Sequence, residues 1–245
     1  MELFTQDGLS LLSRWGHFLA GITWIGLLYY FNFVQTPAFL QLGAPARMEA
    51  LDKVTWRALW WFRWGAVFTV LSGLMILGFN EQFTADYFKT PSGISIGSGA
   101  ILGIIMLSNV WGVIWRAQKV VIASARTVIS GGQADPAAAP AGRRGAVASR
   151  MNTIFSIPLL FFMAATSHFV GSSAFVAEAE SSAMITYWVI FAVVVGGLEL
   201  NALGRLGGYG PAMNTRPYDS VRAAIISGFV VFVILYAAFE VLFKA

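Results

Sequence analysis

The chain has 245 residues, of which 57% are apolar and only 11% charged, with a mean hydropathy of +0.69. An average soluble domain carries about 25% charged residues, so this composition excludes an ordinary soluble protein and indicates a lipid bilayer as its surroundings. The chain has no Cys, which excludes disulfides, iron–sulfur clusters and covalently attached c-type haem; its net charge of +4 predicts no nucleic-acid partner, because the basic residues gather between apolar runs.

Six apolar runs are each close to the ~20 residues that a helix needs to cross the hydrocarbon core. They cover residues 10–34, 60–79, 98–115, 152–171, 183–203 and 221–242. None alternates as a membrane β-strand does, and open sheet edges cannot satisfy their hydrogen bonds in lipid. The sequence therefore predicts an all-α, polytopic membrane bundle of about six helices, forming one domain over residues 1–245.

Two connections have distinctive compositions. Residues 37–58 carry two prolines and mixed charge, which predicts a loop with a short helix lying on the membrane. The third helix is predicted to continue past Trp115, because the following residues remain compatible with a helix. Residues 130–147 are rich in Gly, Pro and Ala, which predicts a flexible cytoplasmic linker between the third and fourth helices.

The basic residues predict the orientation. Thirteen of the sixteen Lys and Arg lie in the connections 35–63, 116–151 and 204–222, on one side of the predicted bundle. Because basic loops stay in the cytoplasm, both termini should lie on the periplasmic side of a bacterial inner membrane. The periplasmic side is then net acidic, a charge that would attract a basic soluble partner.

The sequence contains only two histidines, and both fall inside apolar runs. His17 lies about two turns into the first helix, and His168 lies near the end of the fourth. Because these helices run in opposite directions, both imidazoles should reach the outer third of the bilayer. An intramembrane ionisable residue indicates a functional site, so we predict one haem b with two histidine ligands. The alternative is that each imidazole is separately hydrogen-bonded.

Arg14 favours the haem interpretation. It precedes His17 by three residues, on the same helical face and nearer the surface, where it is placed to pair with a haem propionate. A copper or zinc site is disfavoured, because two histidines without Cys or a nearby carboxylate supply too few ligands.

A second polar group is predicted at the inner ends of the helices. Asn32 and Gln35 end the first helix, Arg57 precedes the second, and Glu199 lies near the inner end of the fifth. Amides and Arg are suited to a planar, anionic substrate rich in nitrogen and oxygen. They are also ordinary helix-end residues, and no catalytic residue follows from the sequence.

Residues 17–39, HFLAGITWIGLLYYFNFVQTPAF, resemble the membrane domain of PuuD-type urate oxidases, and residues 152–169 and 56–66 are also similar to that family. The resemblance implies oxidation of urate to 5-hydroxyisourate, with electrons passed to a cytochrome c. Typical members append a cytochrome c domain after the last helix, whereas this chain ends at Ala245 without one. The separate partner would then be a periplasmic cytochrome c.

The sequence is also compatible with other functions. The pattern of His17, Trp24, Gly26 and Tyr29 is also similar to HemJ-type protoporphyrinogen oxidases and to CopD-type copper-resistance proteins. A different class of function is a non-catalytic, haem-binding anchor or accessory subunit of a larger respiratory or photosynthetic complex.

Overall fold

The computed structural model describes residues 2–207 and 215–245. Within them, six helices are long and apolar enough to cross a membrane, which confirms the predicted all-α class and indicates a multi-pass membrane protein. They are α1 (Gln6–Gln41), α2 (Ala44–Phe79), α3 (Pro91–Ile129), α4 (Ala138–His168), α5 (Ser181–Ala202) and α6 (Val221–Phe243). The described residues form no β-strand, and one isolated antiparallel bridge joins Phe175 to Lys244.

The connection between α1 and α2 is much shorter than the sequence indicates. α1 continues through Pro37, and only Leu42 and Gly43 separate it from α2. Pro45 occupies one of the first two positions of α2, where a missing N–H is tolerated, whereas Pro37 lies inside α1 just after the π-helical turn Tyr30–Gln35. The predicted loop with a short helix on the membrane is therefore wrong, because Pro45 starts α2 and Pro37 does not interrupt α1.

The connection between α3 and α4 is also shorter than predicted. α3 extends to Ile129, as expected, but α4 begins at Ala138, inside the predicted linker 130–147. Residues 138–147 are helical and pack on α3: a Cβ at Gly145 would lie 3.2 Å from the Cβ of Ala117. The glycine that indicated flexibility is thus a point of close helix contact. Residues 130–137 alone connect the two helices.

α3 and α4 form the centre of the bundle. Within the most apolar 18-residue stretch of each helix, the buried share is 56% in α3 and 61% in α4. In the other four helices it is 17–33%. Both chain ends lie on one side. Gln6 Nε2 donates to the carbonyl of Phe79, at the end of α2, and Val176 N donates to the carbonyl of Phe243, at the end of α6. We call this the termini side and the opposite one, with most Lys and Arg, the basic side.

α1 and α4 touch near the basic side and separate towards the termini side. Tyr29 Oη lies 2.9 Å from Ser156 Oγ, and Asn32 Nδ2 donates to Ser149 Oγ at 2.8 Å. Farther along the same helical faces, towards the termini side, the side chains are exposed: Leu11, Arg14, Phe18 and Ile22 on α1, and Leu160, Ala164 and Ser167 on α4. We call the region between these two exposed faces the α1–α4 cleft.

The close approach of α6 to α4 yields a stability prediction. A Cβ at Gly228 would lie 2.5 Å from Ile157 Cδ1 and 3.0 Å from the backbone oxygen of Ile154. Gly228→Ala should therefore lower the free energy of unfolding in mixed micelles by about 1–3 kcal/mol, because the helices must move apart. The control is Gly26→Ala, whose Cβ would meet no atom within 4 Å. Equal stability of the two variants would contradict the close packing.

Candidate functional site

The His17 ring is fixed by the backbone of α2. Its Nδ1 lies 2.8 Å from the carbonyl oxygen of Thr69 and 3.2 Å from Ser72 Oγ. A carbonyl only accepts, so Nδ1 carries the proton and Nε2 retains its lone pair. A Cβ at Gly73 would lie 3.3 Å from the ring, so the glycine makes room for the imidazole. A histidine that donates one ring N–H to a backbone carbonyl has the arrangement typical of metal-ligating histidines.

His168 is the last residue of α4 and is exposed, with no hydrogen bond from its side chain among the described residues. The contact between Tyr29 and Ser156 gives a common reference for depth. His17 precedes Tyr29 by twelve residues and His168 follows Ser156 by twelve, each about 18 Å along its helix towards the termini side. The structure thus places the two imidazoles at similar depth, while the ring of His17 is turned towards α2. Haem ligation stays a prediction.

Arg14 lies at the mouth of the α1–α4 cleft. It is exposed, one turn nearer the termini side than His17, and no acidic side chain pairs with it in the described parts of the chain. Its charge acts on Tyr87, in a one-turn helix at Ala85–Lys89 that precedes α3. Burial raises the pKa of Tyr87, and the positive charge of Arg14 partly opposes this rise. The guanidinium therefore lies within electrostatic range of the helix that precedes α3.

Two of the four residues predicted to bind substrate meet in one cavity. This polar pocket of about 80 Å³ lies on the basic side and includes Asn32 and Gln35. The amide of Asn32 donates to the Leu28 carbonyl, and Gln35 Oε1 accepts from Thr55 Oγ1 at 3.1 Å. Phe31, Thr36, Leu59, Ile114, Gln118, Gly145, Ala146, Ser149 and Arg150 complete its lining.

Gln118 and Arg150 are members of the polar pocket that sequence reasoning missed. The Gln118 Oε1 atom is buried without a hydrogen-bond partner in the described residues. Arg150 donates from one guanidinium nitrogen to the backbone oxygens of Tyr218 and Asp219, at 2.6 and 3.2 Å. No spacing in the sequence connects these residues to Asn32, because they come from α3 and α4 and meet α1 only in the fold.

Arg57 and Glu199 lie outside the polar pocket. Arg57 is exposed on α2. Glu199 Oε2 instead accepts from Asn109 Nδ2 at 3.1 Å, and the same amide lies 3.0 Å from Asn152 Oδ1. Asn152 also donates to the carbonyl of Met106. The four residues predicted as one group are therefore divided among a pocket, a network joining α3, α4 and α5, and an exposed position.

The polar pocket forms where three helices depart from regular α-geometry. π-helical turns occur at Tyr30–Gln35, Leu51–Thr55 and Val110–Ile114, and each contributes at least one lining residue. A fourth, at Ala192–Gly196, precedes Glu199. Single π turns are frequent at functional sites because they interrupt the helical register and redirect side chains.

A larger cavity of about 300 Å³ opens on the termini side, directly after His168. We call it the termini-side pocket. Its lining comes from the start of α3 and from the loop between α4 and α5: Thr90, Pro91, Ser92, Val170, Gly171, Ser172, Ser173, Phe175, Val176 and Ala177. Sequence reasoning did not identify it, because its residues are small and individually ordinary.

Comparison with known proteins gives one match. Residues 84–198 match the model of the urate oxidase N-terminal family, which supports a urate oxidase-related family. The matched region contains α3, α4 and His168, and it includes the stretch 152–169 that resembles urate oxidases in the sequence, but not the stretch 17–39. No curated protein and no solved structure matches the chain.

The network around Asn152 yields the second stability prediction. Asn152 is fully buried and makes two hydrogen bonds to α3. Asn152→Leu should lower the free energy of unfolding by about 1–2 kcal/mol, because Asn109 loses an acceptor inside the bundle. Ser108→Ala is the control, since the exposed Ser108 hydroxyl donates only to its own helix. The free energy of unfolding of both variants is measured in mixed micelles. A wild-type value for Asn152→Leu would show that the network adds no stability.

Proposed function

We propose that this chain is a haem b-containing membrane oxidoreductase that oxidises urate and passes the electrons to a periplasmic cytochrome c. The family match over residues 84–198 supports urate as the substrate. The observation that carries the haem is the His17 ring, whose Nδ1 is held by the Thr69 carbonyl so that Nε2 keeps its lone pair. His168, at similar depth on the other wall of the α1–α4 cleft, supplies the second imidazole.

The residues around the cleft fit a flat macrocycle. A Cβ at Gly21 would approach only the Thr69 methyl group, at 3.9 Å, so this turn of α1 leaves space beside His17. Ala164 leaves similar space on α4, where it is exposed. Arg14, without an acidic partner in the described residues, would bind a propionate at the mouth of the cleft. When bound, the haem would carry one electron at a time.

The proposed reaction is balanced as follows. Urate and one water give 5-hydroxyisourate, two protons and two electrons, and two molecules of oxidised cytochrome c each take one electron. The residues of this chain hold the ligands in place. The Thr69 carbonyl keeps the proton of His17 on Nδ1, and the space at Gly73 lets the ring lie against α2.

The surface of the termini side supports electron exit to a basic protein. Its two lysines are already paired: Lys89 with Asp86 and Glu178, and Lys244 with Glu240. Glu2, Asp7, Glu81 and Glu180 are exposed on the same side and no cation pairs with them in the described residues. This leaves an acidic surface, which would attract a basic cytochrome c by long-range attraction. The distribution of Lys and Arg supports a periplasmic position for this surface in a bacterial inner membrane.

The ligand assignment is tested by the absorption spectrum of purified variants. His17→Ala and His168→Ala should each abolish the low-spin haem Soret band, because a single imidazole cannot hold the bis-histidine state. Both variants should still insert in the membrane and elute as folded protein in detergent. Ser108→Ala, an exposed hydroxyl on α3, is the control and should keep the spectrum. Wild-type spectra from both histidine variants would overturn the assignment.

A further inference from the structure

The termini-side pocket and the polar pocket, both lined by described residues, differ in size and position, and these differences favour one of them as the substrate site. Small-molecule sites are commonly about 300–1,000 Å³, and an engineered cavity that binds benzene has about 150 Å³. The termini-side pocket has about 300 Å³, whereas the polar pocket has about 80 Å³. A fused purine ring therefore fits the first, and it fits the second only if the surrounding helices move.

We propose that the termini-side pocket binds the planar purine anion, an inference that rests on the proposed function and specifies its substrate site. The substrate would then lie beside His168 and not among the inner residues Asn32 and Gln35.

The lining of the termini-side pocket matches the chemistry of such a ligand. The hydroxyls of Ser92, Ser172 and Ser173 make no hydrogen bond among the described residues and are able to donate as well as accept. Urate presents alternating carbonyl and N–H groups along its edges, which need both kinds of partner. Phe175 and Val176 provide apolar surface for the ring faces. The pocket also contains the first turn of α3, where Pro91 has no N–H and Gly93 N donates to Thr90 Oγ1, so the positive end of the helix dipole and the backbone N–H of Ser92 face an anion.

The rim of the pocket carries one cation. The Lys89 ammonium lies 3.0 Å from Asp86 and 3.9 Å from Glu178. The hydrogen bond that Lys89 donates to Asp86 raises the pKa of Lys89, so the ammonium is charged at neutral pH. The backbone also closes the rim, because Ala179 N donates to the Lys89 carbonyl at 2.9 Å. The two carboxylates outnumber the ammonium, so Lys89 joins the loops beside the pocket and the recognition of an anion falls to the groups of the lining.

The position of the pocket suits electron transfer. Its first residue from the α4–α5 loop, Val170, follows His168 by two positions, so their Cα atoms are at most about 7.6 Å apart. The polar pocket instead begins at Phe31 on α1 and at Arg150 on α4, about 21 Å along α1 from His17 and about 27 Å along α4 from His168. The termini-side pocket also shares its side with the acidic surface proposed for the electron acceptor.

The pocket is tested by filling it. A Cβ at Gly171 would meet only Ser92 Oγ, at 3.8 Å, and the backbone there does not require glycine. Gly171→Leu should therefore fold, keep the haem spectrum and weaken urate binding at least tenfold, measured by calorimetry without cytochrome c and without oxygen. Gly26→Leu, on an open face of α1, is the matched control, and Gln118→Leu alters the polar pocket.

Each outcome has a defined meaning. Wild-type affinity in Gly171→Leu, or loss of binding only in Gln118→Leu, overturns the termini-side pocket and leaves urate oxidation standing. Absence of urate binding to the wild-type protein overturns both proposals. If Gly171→Leu does not fold, the double variant Ser172→Ala with Ser173→Ala replaces it. That variant should weaken binding by roughly tenfold, because two hydrogen bonds are lost, and unchanged affinity would again overturn the pocket.

Discussion

The hydrogen bonds that join α1 to α4 near the basic side determine the arrangement of the candidate site. Tyr29 meets Ser156, and Asn32 meets Ser149, so the register of the two helices is fixed at one end. When two antiparallel helices are joined at one point, residues that are equally far from that point along each helix lie at the same depth in the membrane. His17 and His168 are such a pair, each twelve residues from the contact. Loss of this register would shift one imidazole relative to the other.

The two sides of the bundle differ in how they accommodate polar groups. On the basic side, amides and hydroxyls are largely satisfied by one another, in the polar pocket and in the network of Asn109, Asn152 and Glu199. Buried polar groups need such partners, and π turns bring them together. On the termini side, the hydroxyls of the larger pocket and the Nε2 atom of His17 keep capacity for a ligand. This contrast is why we place both haem and substrate on the termini side.

The sequence predicts the number and type of helices because apolar length is a strong signal in a membrane protein. Local composition predicts the connections less well. Pro37 and Pro45 suggest a loop, yet both occupy positions that tolerate proline, and Gly145 packs against Ala117 in a helix. The depth of a residue along a membrane helix can also be estimated from the sequence, which is why the similar depth of His17 and His168 was predictable. The sequence does not show which residues of different helices lie side by side. Gln118 and Arg150 were therefore not predicted as members of the polar pocket, and Glu199 was wrongly grouped with Asn32.

We propose that haem held by His17 and His168 receives electrons from urate. The absorption spectrum of the oxidised, purified protein after urate is added without oxygen tests this transfer. We expect the bands of reduced haem b to appear and oxidised cytochrome c to restore the oxidised spectrum. A haem that stays oxidised under these conditions, although chemically reducible, would rule out electron transfer from urate. It would favour a haem-bearing accessory subunit of a larger membrane complex.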